Sequence, residues 1–425
     1  MTRRFALTAA LLAGLVGGMA QAQDKTSRVA LDFSERFRFV AWDNAIDLNN
    51  QADNAQTFTR HRTSLGLRYS AGAGLALYAK VTNEFRYYFK PDDRDFTLSE
   101  VIVDNLYLAW NRPGDLPLSL CLGRQNLMLG EGFVVMDGHP LDGSRSIYFN
   151  AVRVDWLLAD QRRLTFFATR QPRTDDFPVI NSQDQPLVDE TEEGFGLYYS
   201  GQHRGLGLDF YAIRKNLLSG VPTHVNTLGF RGAIPVTPPL SVTAEAAYQW
   251  GELGTADRQA WGGYIHADYN LKQTFPAPSK LTLGLVALSG DDPDTPEYEG
   301  WDAIFSRWPK WSESYIYALI PERGVANWSN LISLYGTLRF DIAKPAALTL
   351  TLQRLAAQHA MTGSAFPGGD GTTRGLLLTT KLDLTLTPAL KGHVLWDVFN
   401  PGDYYTAGAD RYNWFRVELL YNWRR

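Results

Sequence analysis

The stretch SVTAEAAYQWG, Ser241 to Gly251, sets Val242, Ala244, Ala246, Tyr248 and Trp250 at alternate positions, with Thr243, Glu245 and Gln249 between them. Successive side chains of a β-strand point to opposite faces, so this period of two predicts a strand with one apolar and one polar side. The same reading holds at Val29, Leu31, Phe33, Phe37 and Phe39 against Asp32, Ser34, Arg36 and Arg38, with Glu35 out of step. It holds again at Leu75, Leu77, Ala79, Val81 and Phe85 against Lys80, Thr82, Glu84 and Arg86. Such segments recur about eighteen times, at roughly the length a tilted membrane strand needs. The last, Phe415, Val417, Leu419, Tyr421 and Trp423 against Arg416, Glu418 and Asn422, runs almost to the C-terminus and leaves only Arg424 and Arg425 beyond its final aromatic.

The links between segments alternate short and long. Residues 70–74, 111–115, 159–163 and 341–345 are short; 43–56, 90–99, 126–146, 173–193 and 290–327 are long. Up-and-down barrels of the outer membrane have short periplasmic turns and long external loops, and an even strand number when both termini are periplasmic. A soluble sandwich would show the same period, but not one-sided loop lengths or tryptophans at strand ends. Trp42, Trp110, Trp250, Trp328 and Trp423 stand where interfacial girdles belong. The predicted fold is all-β, a transmembrane antiparallel up-and-down barrel of about eighteen strands.

Composition agrees. The 425 residues are 45% hydrophobic and 20% charged, with 12 Trp, 20 Tyr and 22 Phe, values unlike those of a helical membrane protein or a disordered chain. The single cysteine, Cys121, excludes an intramolecular disulfide framework and a cysteine-only metal site. Arg3 and Arg4, the apolar run Phe5 to Met19 and Ala20-Gln21-Ala22 read as a cleaved signal peptide over 1–22, leaving 23–425 as one barrel domain. Its removal leaves 39 basic and 45 acidic side chains, a net charge of −6 that argues against nucleic acid. The expected location is the bacterial outer membrane.

A sheet in hydrocarbon must close on itself, because unpaired backbone groups are too costly there. At this strand number the interior is too wide for side chains to fill. The polar faces therefore line a lumen. Parity puts Arg36, Arg38, Arg60, Arg62, Arg68, Lys80, Arg86, Arg153, Arg231, Lys381 and Arg416 there, with Asp32, Glu84, Asp155, Asp209, Glu245, Asp383 and Glu418. Arg36, Arg62, Lys80 and Arg153 fall near mid-strand and are expected to form a basic ring at the waist, which would select anions. The alternative is that they pair with Glu84, Asp155 and neighbours and stiffen the wall.

One segment is distinctive: Gly123-Arg124-Gln125-Asn126-Leu127, then Gly130-Glu131-Gly132-Phe133, then Asp137-Gly138-His139-Pro140-Leu141-Asp142-Gly143-Ser144-Arg145, running into Tyr148, Phe149 and Arg153. With the preceding Asp104 to Trp110 it resembles the alginate-export family of outer-membrane channels. Motif resemblance spans residues 101–157. The resemblance implies export of an anionic polysaccharide through an arginine-lined pore, with periplasmic export partners, and it puts Arg124 in a basic constriction. Strict alternation, however, sets Arg124 on the face of Leu118, Leu120 and Leu122. The glycines and Pro140 give the following loop tight turns, so it either folds inward with Arg145 to narrow the pore or stays outside.

Catalytic readings are thin. Glu131, Asp137 and Asp142 are a loose carboxylate set, and Ser144 with His139 lacks a nucleophile elbow. Seven histidines show no metal-ligand spacing. Neither metal nor cofactor is expected, nor an enzyme. The leading expectation is a passive channel for an anionic polysaccharide or oligosaccharide. An uptake porin for small anionic or sugar solutes comes second, and a membrane-embedded hydrolase third.

Overall fold

The computed structural model describes residues 28–45, 48–92, 100–137, 148–159, 161–182, 187–271, 279–306, 311–312, 329–360 and 368–425. The signal segment, Trp328, and the stretch holding His139, Asp142, Ser144 and Arg145 lie outside these residues.

Alternating faces become strands throughout. They are β1 (Val29–Asp43), β2 (Gln56–Gly72), β3 (Leu75–Lys90), β4 (Val101–Asn111), β5 (Leu118–Gln125), the two-residue β6 (Leu127–Met128) and β7 (Met136–Asp137), β8 (Phe149–Ala159), β9 (Arg162–Gln171) and β10 (Glu192–His203). The rest are β11 (Leu206–Leu217), β12 (Thr223–Thr237), β13 (Leu240–Leu253), β14 (Ala256–Asn270), β15 (Ser279–Leu288), β16 (Leu331–Ala343), β17 (Ala346–Ala356), β18 (Thr373–Thr385), β19 (Leu390–Pro401) and β20 (Tyr412–Arg424). All but β6 and β7 belong to one 18-stranded sheet. Each strand pairs antiparallel with the next, β5 with β8, and β20 returns to β1 with Arg38 opposite Glu418. That last pairing removes the sheet edges, as a membrane sheet requires.

The outward parity is apolar and uncovered by protein: Leu122, Phe195, Leu228, Phe230, Leu283 and Leu334 are each more than half exposed. In water such a belt would be a liability; against lipid it is the favourable surface. Among the described residues no helix is long and apolar enough to cross a membrane. Trp110 and Trp250 lie outward and exposed as expected of girdles, but Trp42 is buried on the inner side, edge-on to Phe58. It shares the even parity of Arg36 and Arg38, and parity decides.

Link lengths depart from strict alternation in one sector. On the long-loop side, 218–222 and 254–255 are short. They cap β11 to β14, whose inner face is already covered by two loops from elsewhere in the chain.

Candidate functional site

The core of the molecule lies inside the lumen. After Gln125 the chain leaves the wall and turns inward, and the segment after β15 does the same. Backbone bonds join the two: Met136 N–H donates to Phe305 O at 3.0 Å and Phe305 N–H to Val134 O at 3.2 Å. Phe133 stacks on Trp301 at 5.2 Å and meets Tyr264 edge-on at 5.5 Å, while Phe305 packs on Phe149 and Phe167. Phe133, Val134, Val135, Trp301 and Phe305 are all fully or nearly fully buried. Each of the large ones contributes about 2 kcal/mol by leaving water. The wall makes room for them: a Cβ on Gly262 would stand 2.7 Å from Trp301, and one on Gly194 would clash with Phe305. The loop after β5 therefore narrows the pore over residues 126–137, and residues 289–306 complete the plug.

Polar groups fix the plug to β11 through β14. Arg231 donates to Glu131 at 3.0 Å and to Asp209 at 3.1 Å, and His266 lies 3.3 Å from Glu131. Tyr198 donates to Asp209, and Tyr211 and Tyr264 donate to the two oxygens of Glu245. Lys215 holds Asp302 at 2.7 Å, and Gln249 exchanges two bonds with the Asp302 backbone. Burial by itself would raise the Asp302 carboxyl. The neighbouring Lys215 and Arg258 charges, the Lys215 hydrogen bond and the Ile304 N–H together outweigh it and hold the group below its ordinary value.

Halfway round the sheet the wall is basic. Arg416 on β20, Arg36 and Arg38 on β1, Arg60 and Arg62 on β2 and Arg86 on β3 all carry the inward parity, and cross-strand register sets Arg36 opposite Arg62 and Arg38 opposite Arg60. Six arginines there meet Glu84 and Glu418 from the same strands and Asp104 from β4. Arg62 bridges Glu84 at 3.0 Å and Asp104 at 3.3 Å; Arg60 also holds Glu84, and Arg38 holds Glu418. Arg36 lies 3.8 Å from Glu84, and Lys80 binds Asp104 at 2.7 Å.

The predicted waist residues thus do not form a ring. Arg36 and Arg62 belong to a one-sided basic block, and Lys80 sits below it. Arg153 is farther round on β8, paired with Asp155 at 2.9 Å. Equal height along the strands is not equal position around the barrel. All four take part in ion pairs, so the wall-stiffening role is present as well. Arg145 lies outside the described residues.

Arg124 is a correction to the constriction that the family resemblance implied. Its cross-strand neighbours are Leu106 and Asn150, and Leu106 faces outward. The side chain is wholly buried in a seam of the wall, where β5 ends and leaves part of β4 unpaired. There Arg124 donates to Val103 O, to Asn150 and to Asp175, all at 2.8–2.9 Å. Its guanidinium is sandwiched between the rings of Tyr148 at 3.7 Å and Phe177 at 4.1 Å. The segment after β9 closes the seam, Ile180 bridging Val101 in both directions. Burial pushes the Asp175 carboxyl up, but hydrogen bonds from Arg124, Tyr148 and the Phe177 N–H outweigh this and leave it lowered.

Sequence reasoning missed the plug's second half and the tyrosines of β10, β11 and β14. The signal for Tyr198 and Tyr211 was available: both have inward parity, they face each other across the strand pair, and their rings stack at 5.3 Å.

No family model matches the chain, and no curated protein matches it. Solved structures do. A BenF-like porin from Pseudomonas fluorescens Pf-5 aligns with a TM-score of 0.61 at 9% identity, over 93% of this chain and 99% of that one. OccK2 (OpdF) of Pseudomonas aeruginosa, solved with glucuronate, gives 0.58 at 13% identity over 93% and 97%. OpdK of the same organism, solved with vanillate, gives 0.56 at 10% over 93% and 99%. The alginate-export resemblance finds no support among these. At such identities the likeness is one of architecture: this chain has the closed eighteen-stranded barrel of bacterial outer-membrane porins.

Proposed function

We propose that the protein is a passive outer-membrane uptake porin for small organic anions. The observation that carries this reading is the excess of arginine on β20, β1, β2 and β3, facing a plug that fills the opposite side of the lumen. A cation-rich wall in a low-dielectric pore raises the local concentration of anions and sets selectivity. Glucuronate and vanillate, the molecules held by two architectural neighbours, are both ring-bearing monocarboxylates. The export of a polysaccharide is less well supported, since loops from two parts of the chain occupy the lumen. A hydrolase is less well supported still: Glu131 is engaged by Arg231 and His266 as a plug anchor.

The test is the reversal potential of single channels in a salt gradient. Wild type should favour anions. Arg62→Glu or Arg36→Glu should shift the potential toward cations at 0.1 M salt, and less at 1 M, where the screening length falls from about 10 Å to about 3 Å. A cation-selective wild type would refute the reading.

A further inference from the structure

Below the plug, β1 to β5, β8 and β20 line a half-open cavity of about 510 Å³, within the usual size range of small-molecule sites. It lies on the periplasmic side, because its lining residues sit where strands approach the short turns and the C-terminus: Asp32 near the start of β1, Arg68 near the end of β2, Arg424 at the end of β20. Its charge is one-sided. Arg68, Lys80, Arg153 and Arg424 line it against the single carboxylate of Asp32, which already accepts from the Tyr78 hydroxyl at 3.1 Å. Lys80 and Arg153 have Asp104 and Asp155 as partners. Arg68 and Arg424 have no ion-pair partner among the described residues. Beside them Tyr78 and Tyr107 present neighbouring rings with centroids 5.2 Å apart, and both line the cavity.

We propose that this cavity is a second, periplasmic-side anion subsite, in which Arg68 and Arg424 hold the carboxylate of a ring-bearing monocarboxylate while Tyr78 and Tyr107 contact its ring. The inference rests on the uptake reading and deepens it: a solute that has passed between the plug and the arginine-rich wall meets a second binding step before release. Two sites of moderate strength speed passage better than one strong site, because each must be weak enough to leave.

Cys121 supplies the test. It is the only cysteine of the chain and lines this cavity. In the reconstituted full-length channel, an anionic methanethiosulfonate should modify it at least about tenfold faster than a cationic one of similar size, given the local field. Benzoate should slow that modification, and benzamide, its uncharged counterpart, should not. Arg68→Gln and Arg424→Gln, checked for heat-modifiable migration as evidence of a folded barrel, should each abolish the protection by benzoate. Equal rates for the two reagents, or equal protection by benzamide, would overturn the proposal. Loss of the subsite with anion selectivity intact refutes this inference alone; a cation-selective channel whose Cys121 is still protected by benzoate refutes the uptake reading alone.

Discussion

Lys215 on β11 donates to Asp302 at 2.7 Å across 87 residues of sequence, and so ties a wall strand to the loop that carries Trp301 and Phe305. Removing one partner of a buried pair typically costs about 3–5 kcal/mol. Here that cost falls on the plug and spares the barrel, whose ladders are independent of it. Lys215→Ala or Asp302→Asn should therefore raise single-channel conductance and current noise while leaving heat-modifiable migration as in wild type.

The same pair sets an acid limit. The folded Asp302 carboxyl lies below its ordinary value, so its contribution is fully present above the unfolded pKa of about 3.9. It is lost as pH falls through the lower, folded value. Conductance should stay constant from neutral pH down to about 5 and rise only on stronger acidification. In Asp302→Asn this particular acid step should be missing.

Arg124 separates seam from pore. Arg124→Ala strips the Asp175 carboxylate of its cation and opens the Val103 carbonyl, a loss of about 3–5 kcal/mol for a buried charge left unpaired. The expected readouts are a lower unfolding temperature in detergent and faster proteolysis after β9. Ion selectivity should match wild type. A selectivity change as large as that of Arg62→Glu would put Arg124 back in the constriction.

Glycine on the inner wall can be probed by one methyl group. Gly262→Ala brings a Cβ to 2.7 Å from Trp301, and overpacking of this kind costs about 1–3 kcal/mol. Plug displacement should appear as conductance fluctuations. Gly232→Ala, on the outward parity of Leu228 and Phe230 where a Cβ meets nothing within 4 Å, should be silent in the same recordings.

On the lipid face, Leu228 is 58% exposed. Leu228→Arg should destabilise the inserted barrel by up to about 2–4 kcal/mol if it lies at the bilayer midplane, measured by unfolding in lipid vesicles. Equal stability would mean that the belt around β12 is not in contact with lipid.

What sequence could convey here was parity. In the stretch from Ser241 to Gly251 every odd-numbered residue from Thr243 to Gln249 is buried inside, and Tyr248 and Trp250 are exposed outside. Parity set Arg124 on the face of Leu122, against the resemblance, but could not foresee the seam that buries it there; applied to Trp42, parity would have turned it inward. The loops were harder, because a glycine-rich composition permits a tight path without saying where it leads. That residues 126–137 meet 289–306 depends on Phe133 finding Trp301, and on spaces left by Gly194 and Gly262 in distant strands. The basic block was misread for a different reason. Height within each strand was legible, but which strands share a side emerges only after β20 is set beside β1, bringing Arg416 and Glu418 next to Arg38.

The patch of chain around Ile180 that covers the bare edge of β4 has a consequence for how such a pore can change over generations. Because a separate segment, pinned by Arg124 and Asp175, covers β4 where the chain dives inward, the residues between Asn126 and Asp137 supply no rung of the wall's ladder and meet the wall only through anchors such as Glu131 and Phe133. Away from those anchors, identity and number can drift with the cargo while the vessel around them keeps its strands.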